Sequence, residues 1–156
     1  MIRCEAAFIK STLEAILEGG AKNSETLVLW LGRTTGKTTE VIEAYVPPQL
    51  AEFDRFQITS EGMRNVMRHL RDQRAFICAQ VHSHPAEAFH SSADDEWAIV
   101  RHLGALSLVV PYFGARITPA YFLEHSAAYE LSPHNKWELV NSAELPSRLV
   151  TYVNHR

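Results

Sequence analysis

The chain has 156 residues, of which 46% are hydrophobic and 21% charged, with a formal net charge of −3 at pH 7. Residues 1–156 are read as one domain long enough for a buried core, and the mild acidity provides no overall basic field for a phosphate backbone, so nucleic acid is not an expected partner. No apolar run reaches the roughly 20 residues that span a bilayer. The N-terminal segment lacks the apolar stretch of a signal peptide, and the two cysteines, Cys4 and Cys78, are no disulfide framework. A reducing, cytoplasmic setting without a membrane partner follows as the expectation.

Taken in chain order, Phe8, Ile9, Leu13, Ile16 and Leu17 fall at helical spacing over residues 6–18, and Gly19-Gly20 is expected to end that helix. Glu25 opens the apolar run Thr26–Leu31, closed by Gly32, which suits a buried strand. Arg33–Lys37 reads as a turn into a second strand, Thr38–Tyr45, and the stretch from Pro47 to Phe56 as irregular. Thr59 or Ser60 caps a helix to about Arg71, with Met63, Val66, Met67 and Leu70 facing the core and Arg64, Arg68 and Arg71 opposite. Ala75–Val81 is a second buried strand that runs into His82. A loop from Pro85 to His90 leads to a helix from Ser92 to about Leu103. Strands at Leu106–Val110, Ala120–Glu124 and Ala127–Leu131 complete the sheet, and a helix is expected near Leu145–Tyr152. The interleaving predicts an α/β fold with a mixed sheet flanked by helices.

The informative stretch is His82-Ser83-His84-Pro85, followed by Ser92 and Asp95. Strand residues two apart share a face, so both imidazoles can aim at one point at a strand end. The ten residues between His84 and Asp95 allow a loop to return a helix start over that point. Two imidazoles and a carboxylate, with a fourth position open to water, form the ligand pattern of catalytic Zn2+. Glu25, a charge at the entrance of a buried strand, is the candidate acid/base that activates the water, and Ser92 is placed to hydrogen-bond a tetrahedral oxyanion. Each part has a plainer meaning by itself. An H-x-H pair is a weak signal in a chain with eight histidines, and both Ser92-x-x-Asp95 and Ser91-x-x-Asp94 look like helix starts. The combination carries the argument.

These residues resemble the JAMM/MPN+ (JAB-domain) metalloproteases, whose signature is an upstream glutamate followed by H-[ST]-H-P-x6-S-x2-D. His82-Ser83-His84-Pro85, six residues, Ser92, two residues and Asp95 match it. The family's glutamate opens a strand of the form E-x-x-G-x-L-x-G. Here Glu25 and Gly32 fit, while Val28 and Trp30 replace the small and leucine-like positions. The resemblance spans roughly Glu25 to Val110 and is nearest to small stand-alone prokaryotic members, which share the run Ala88-Phe89-His90-Ser91. It implies His82, His84 and Asp95 as zinc ligands, Glu25 as acid/base and Ser92 as oxyanion partner. It implies the JAB/MPN fold, like that of cytidine deaminases, and cleavage of an isopeptide or peptide bond after the C-terminal tail of a ubiquitin-like protein. Activating and conjugating enzymes of such a modification system are the further partners it implies.

Other assignments are weaker. Cys78 and His82 would stand about 13 Å apart along a strand, too far for a nucleophile and its base, so Cys78 reads as a small buried residue. Ser83 points away from its histidine neighbours. His90, His102, His125 and His134 show no ligand spacing. A metal-free scaffold of the same fold is disfavoured by the intact ligand set, and a RadC-type DNA-repair relative by the acidic composition. The substrate tail is expected to add along a sheet edge near the site.

Overall fold

The two apolar runs that stand out in the sequence become neighbouring central strands. The computed structural model describes residues 1–51, 53, 56–91, 94 and 98–155. In chain order the strands are β1 (Ile2–Glu5), β2 (Leu27–Thr35), β3 (Thr38–Tyr45), β4 (Gln49–Ala51), β5 (Phe56–Ile58), β6 (Phe76–Ser83), β7 (Leu106–Val110), β8 (Ala127–Leu131), β9 (Trp137–Leu139) and β10 (Leu149–Tyr152). Among the described residues the helices with both ends placed are α1 (Ala6–Ala21), α2 (Ser60–Gln73) and a short α3 (Phe122–His125). Eight strands form one sheet in the order β10-β1-β3-β2-β6-β7-β8-β9, and β4 pairs with β5 in a separate hairpin. The pairs β1–β10, β1–β3 and β6–β7 are parallel and the others antiparallel, so the sheet is mixed, as the sequence predicts.

The sheet curls. Six strand spacings separate β10 from β8, about 29 Å if the sheet were flat. Yet Arg148, just before β10, donates to the Glu130 carboxylate on β8 at 2.6 Å. Helix α1 packs on the face toward which the sheet closes: Ile9, Leu13 and Ile16 share a core with Trp30, Leu108 and Leu149. The fully buried Trp30 donates its indole N–H to Thr12 Oγ1 at 2.9 Å, and Thr12 donates onward to the Phe8 carbonyl at 2.8 Å. The largest polar group in this core is therefore satisfied by the helix that covers it. Helix α2 covers the opposite face, where Leu27, Leu29 and Leu31 meet Val66 and Leu70.

Several sequence expectations are corrected. Helix α1 continues through Gly19-Gly20 to Ala21. A Cβ on Gly19 would lie 1.9 Å from Thr26 Oγ1, and one on Gly20 2.5 Å from Phe113 Cβ, so these glycines serve close packing rather than termination. Strand β2 likewise runs past Gly32, and the turn narrows to Gly36-Lys37, with Gly36 at φ +62°. The helix at 60 ends at Gln73 and starts from Thr59, whose hydroxyl accepts from the Gly62 N–H at 3.0 Å. Its fully buried residues are Gly62 and Val66, Leu70 packs against the same core as expected, and Met67 is 49% exposed.

The expected strand Ala120–Glu124 is helical, since Pro119 opens a 3-10 turn and Phe122 turns fully inward against Trp30. Residues 98–103 do not continue the helix expected from Ser92. The tail forms a 3-10 turn, Leu145–Ser147, and then β10 rather than a helix. Within the irregular stretch lies the β4–β5 hairpin. No helix among the described residues is long and apolar enough to cross a membrane.

Phe122 is wholly buried with its ring 5.9 Å from that of Trp30. Truncation to alanine leaves a cavity where the helical turn meets the sheet. Phe122→Ala is expected to lower unfolding free energy by about 3–5 kcal/mol, measured by urea denaturation. A loss under 1 kcal/mol would contradict this packing.

Candidate metal centre

Strand β6 carries the site, and its alternation decides which side chains point there. Ala79 and Val81 join the α1 core, so Gln80, His82 and the following His84 project on the α2 side. Upstream, Trp30 pairs with Ala79 but Leu31 pairs with Ile77, which leaves Cys78 as the extra residue of a β-bulge. Ser83 points away from its neighbours as the sequence predicts, and its role is structural. Its fully buried hydroxyl accepts from the Thr26 N–H at 2.9 Å, while its own N–H donates to the Thr26 carbonyl at 3.1 Å. This fixes the end of β6 against the chain just after Glu25.

His82 and His84 are both buried, with ring centroids 5.2 Å apart. One carboxylate oxygen, Asp94 Oδ2, lies 3.2 Å from His82 Nε2 and 3.1 Å from His84 Nε2. The three residues each present one donor atom within 4.8 Å of the other two. With metal–ligand distances of about 2.0–2.1 Å, a tetrahedral zinc site has donor–donor edges of about 3.3 Å. The two edges at Asp94 match that value, and the donor set of two imidazole nitrogens and a carboxylate oxygen suits the ion. The residues therefore fit a divalent transition metal.

Asp94 is held by its own turn. Its Oδ2 accepts from the Ser91 N–H at 2.7 Å, and the Asp94 N–H donates to Ser91 Oγ at 3.1 Å, the reciprocal bonding of a capping box. Burial raises the pKa of this carboxyl group, but hydrogen bonds from His82 and His84, the His82 charge and the Ser91 N–H outweigh it and hold the group well below the usual carboxylate range. The net effect favours the anionic form.

Glu25 is 2% exposed, and its Oε1 lies 4.0 Å from His84 Nε2, so the structure brings the expected acid/base to the edge of the cluster. The strand that follows it is held by Gln49, whose amide accepts from the Leu27 N–H at 2.8 Å and donates to the Leu27 carbonyl at 3.0 Å. Ser92 and Asp95, the expected oxyanion partner and third ligand, lie outside the described residues. Asp94 was legible only as half of a helix start, Ser91-x-x-Asp94, and its capping geometry is what aims the carboxylate at the histidines.

His90, to which the sequence assigns no role, stands beside the site. Its ring centroid is 5.8 Å from that of His82 and about 5 Å from those of Tyr129 and Trp137, at 5.1 and 5.2 Å. No spacing rule in the sequence could find it, because its neighbours come from β6, β8 and β9. The cysteines sit apart from this chemistry. Burial pushes the Cys78 thiol up to about 12, and burial together with the nearby Cys78, Glu5 and Glu40 pushes Cys4 higher still. Cys78 donates to the Trp30 carbonyl at 3.2 Å.

Comparison with known proteins agrees with this chemistry. The chain is 32% identical over 146 residues, covering 90% of its length and 88% of the relative's, to a protein described as "Probable metalloprotease y4jG" from Sinorhizobium fredii. The solution structure of protein DSY2949 from Desulfitobacterium hafniense superposes with a TM-score of 0.71 at 15% identity, covering 99% of this chain and 94% of that one, which shows a shared fold. No family model matches the sequence.

Two outcomes follow from the geometry. Ser83→Ala removes the acceptor of the buried Thr26 N–H, and a loss of about 1–3 kcal/mol is expected in denaturant unfolding. Neither cysteine should react with iodoacetamide at pH 7 in the folded protein, whereas both should label in urea, as read by intact mass. Rapid labelling of the native chain would show that the thiols are not buried as described.

Proposed function

This chain belongs to the family of the probable metalloprotease y4jG, and on that premise we propose that it is a zinc-dependent isopeptidase or peptidase of the JAMM type, cleaving after the C-terminal tail of a ubiquitin-like protein. The observation that carries the proposal is the convergence of His82, His84 and Asp94 on one buried point with Glu25 at its edge. The H-S-H-P motif and the family membership point to hydrolysis, and the resemblance to JAMM proteases supplies the substrate class.

His82 and His84 are assigned as the imidazole ligands. The carboxylate ligand is assigned to Asp94, one position before the aspartate that the motif indicates, because Asp94 Oδ2 faces both imidazoles. Zn2+ held by these residues would supply Lewis acidity and make water in the site acidic enough to ionise near neutral pH. Glu25 takes a proton from the attacking water and passes it to the departing amine, which must be protonated to leave. Its burial beside His84 suits this role, since a carboxylate withheld from bulk solvent exchanges protons mainly with groups in the site. Ser92 is assigned as the hydrogen-bond donor to the tetrahedral oxyanion, and Ser83, which faces away, takes no part. The reaction needs no covalent enzyme intermediate.

A fusion of a ubiquitin-like protein, extended past its terminal diglycine, tests this reading. The purified protein is expected to contain about one zinc per chain by plasma mass spectrometry and to cleave after the diglycine, with loss of cleavage in chelator and recovery on adding zinc. Glu25→Gln should retain zinc and lose about 10²–10⁴-fold in rate. His82→Ala and Asp94→Ala should lose both zinc and cleavage, whereas Asp95→Ala should keep the metal. Full zinc content in Asp94→Ala would move the ligand assignment elsewhere, and cleavage that persists in chelator would end the metalloprotease reading.

A further inference from the structure

The carboxylate of the cluster sits within a long connection, residues 84–105, between parallel strands β6 and β7. A connection of that length does not by itself present one carboxylate to two imidazoles at once, so something must fix it. The sheet offers one device. Gln80 lies two residues before His82, on the same side of β6, and is 1% exposed. A glutamine at a core strand position costs several kcal/mol unless its amide is satisfied, and here both the oxygen and the nitrogen of the amide have partners. Its Oε1 accepts from the backbone N–H groups of Ile99 at 3.0 Å and Val100 at 3.3 Å. Its Nε2 donates to Ser107 Oγ at 3.1 Å, directly across on β7. The fully buried Ser107 hydroxyl, which accepts from Gln80, is in turn hydrogen-bonded to His90 Nε2 at 3.2 Å.

The two arms of this network grip the connection on both sides of Asp94, at His90 upstream and at Ile99 and Val100 downstream. Both grips end on one side chain, which is anchored in the same strand as the histidine ligands.

We propose that Gln80 is a positioning residue that holds the Asp94 segment in register with His82 and His84, so that metal affinity depends on an amide that touches no ligand. The inference rests on the metal-centre reading above, but its immediate claim concerns the chain. Without the Gln80 amide, the buried Val100 N–H loses its acceptor, the His90 arm loses its donor, and the carboxylate is no longer presented to both imidazoles at once.

The test uses the full chain with Gln80→Leu, which keeps bulk but removes both arms, and with Ser107→Ala, which removes only the His90 arm. Zinc affinity is measured by competition with a chromophoric chelator, the site geometry by the visible spectrum of the cobalt-substituted protein, and the anchoring by hydrogen exchange at Ile99 and Val100 in the metal-free protein. Gln80→Leu is expected to lose about 10–100-fold in zinc affinity, the range typical of groups that orient metal ligands. It should also shift the cobalt spectrum and lose exchange protection at 99 and 100. Ser107→Ala should lose less affinity and keep that protection.

Wild-type affinity and spectrum in a folded Gln80→Leu protein would overturn the inference. Should that variant fail to fold, an unchanged cobalt spectrum and affinity in Ser107→Ala would overturn it equally. A wild-type protein that binds no zinc would defeat the metal reading itself and this inference with it. A wild type that binds, with variants that bind alike, defeats only the role given to Gln80.

Discussion

Burial of the Asp94 carboxylate is the constraint around which this molecule is arranged. An ionised group taken out of water costs several kcal/mol after relaxation unless opposite charge and hydrogen bonds compensate. Here a backbone N–H from Ser91 and two imidazole nitrogens meet a single oxygen, Oδ2. The imidazoles come from the end of β6 and the N–H from the turn that carries Asp94, so two separate parts of the chain must meet at one place. The strand pairing, the capping turn and the fixed ends of the 84–105 connection can each be understood as a means to that convergence.

The central strands supply the rigid half. β6 is paired on both sides, with β2 and β7, and its last residues are further tied to Thr26 through Ser83. The histidines thus project from the end of a central strand, and Glu25 is brought to them because Leu27 is in register with His82. The carboxylate comes instead from a connection with little regular structure of its own among the described residues. A site built from one rigid and one tethered component depends on its tethers to keep the donor geometry sharp.

The sequence revealed the rigid half well, for physical reasons. Long apolar runs such as Thr26–Leu31 and Ala75–Val81 have few fates other than central strands, and H-x-H at the end of one of them places two imidazoles on one side. Thr38–Tyr45, Leu106–Val110 and Ala127–Leu131 were legible for the same reason, and the structure has strands at those bounds. What escaped was short or non-local. β1, β9 and β10 are each three or four residues long, and β1 and β10 depend on partners distant in sequence. Ala120–Glu124 has strand-like composition, but Pro119 and the burial of Phe122 impose a helical turn. Gly19-Gly20 carries the signature of a helix end, yet serves contacts with Thr26 and Phe113 that no local pattern reveals. At the site, the doubled run Ser91-Ser92-Ala93-Asp94-Asp95 offers two overlapping S-x-x-D registers. Only three-dimensional geometry shows Asp94 facing the imidazoles, and the joining of His90 to Gln80 through Ser107 has no linear signature at all.

The bulge at Cys78 has an evolutionary corollary. Because the strand's parity is reset there, the chain upstream of Cys78 and the chain downstream answer to different demands: the first to pairing with Leu31 and Gly32, the second to the direction of the imidazoles. Gly32 is compelled at this crossing, since a Cβ on it would come within 3.0 Å of Cys78 Sγ. A one-residue insertion or deletion before the bulge can be absorbed by moving the irregularity along the ladder. The same change between Ala79 and His82 would turn both histidines toward α1 and away from Asp94. Length variation among related chains should accordingly collect on the Phe76 side of Cys78 and be absent from the three positions, Ala79 to Val81, leading to the first histidine.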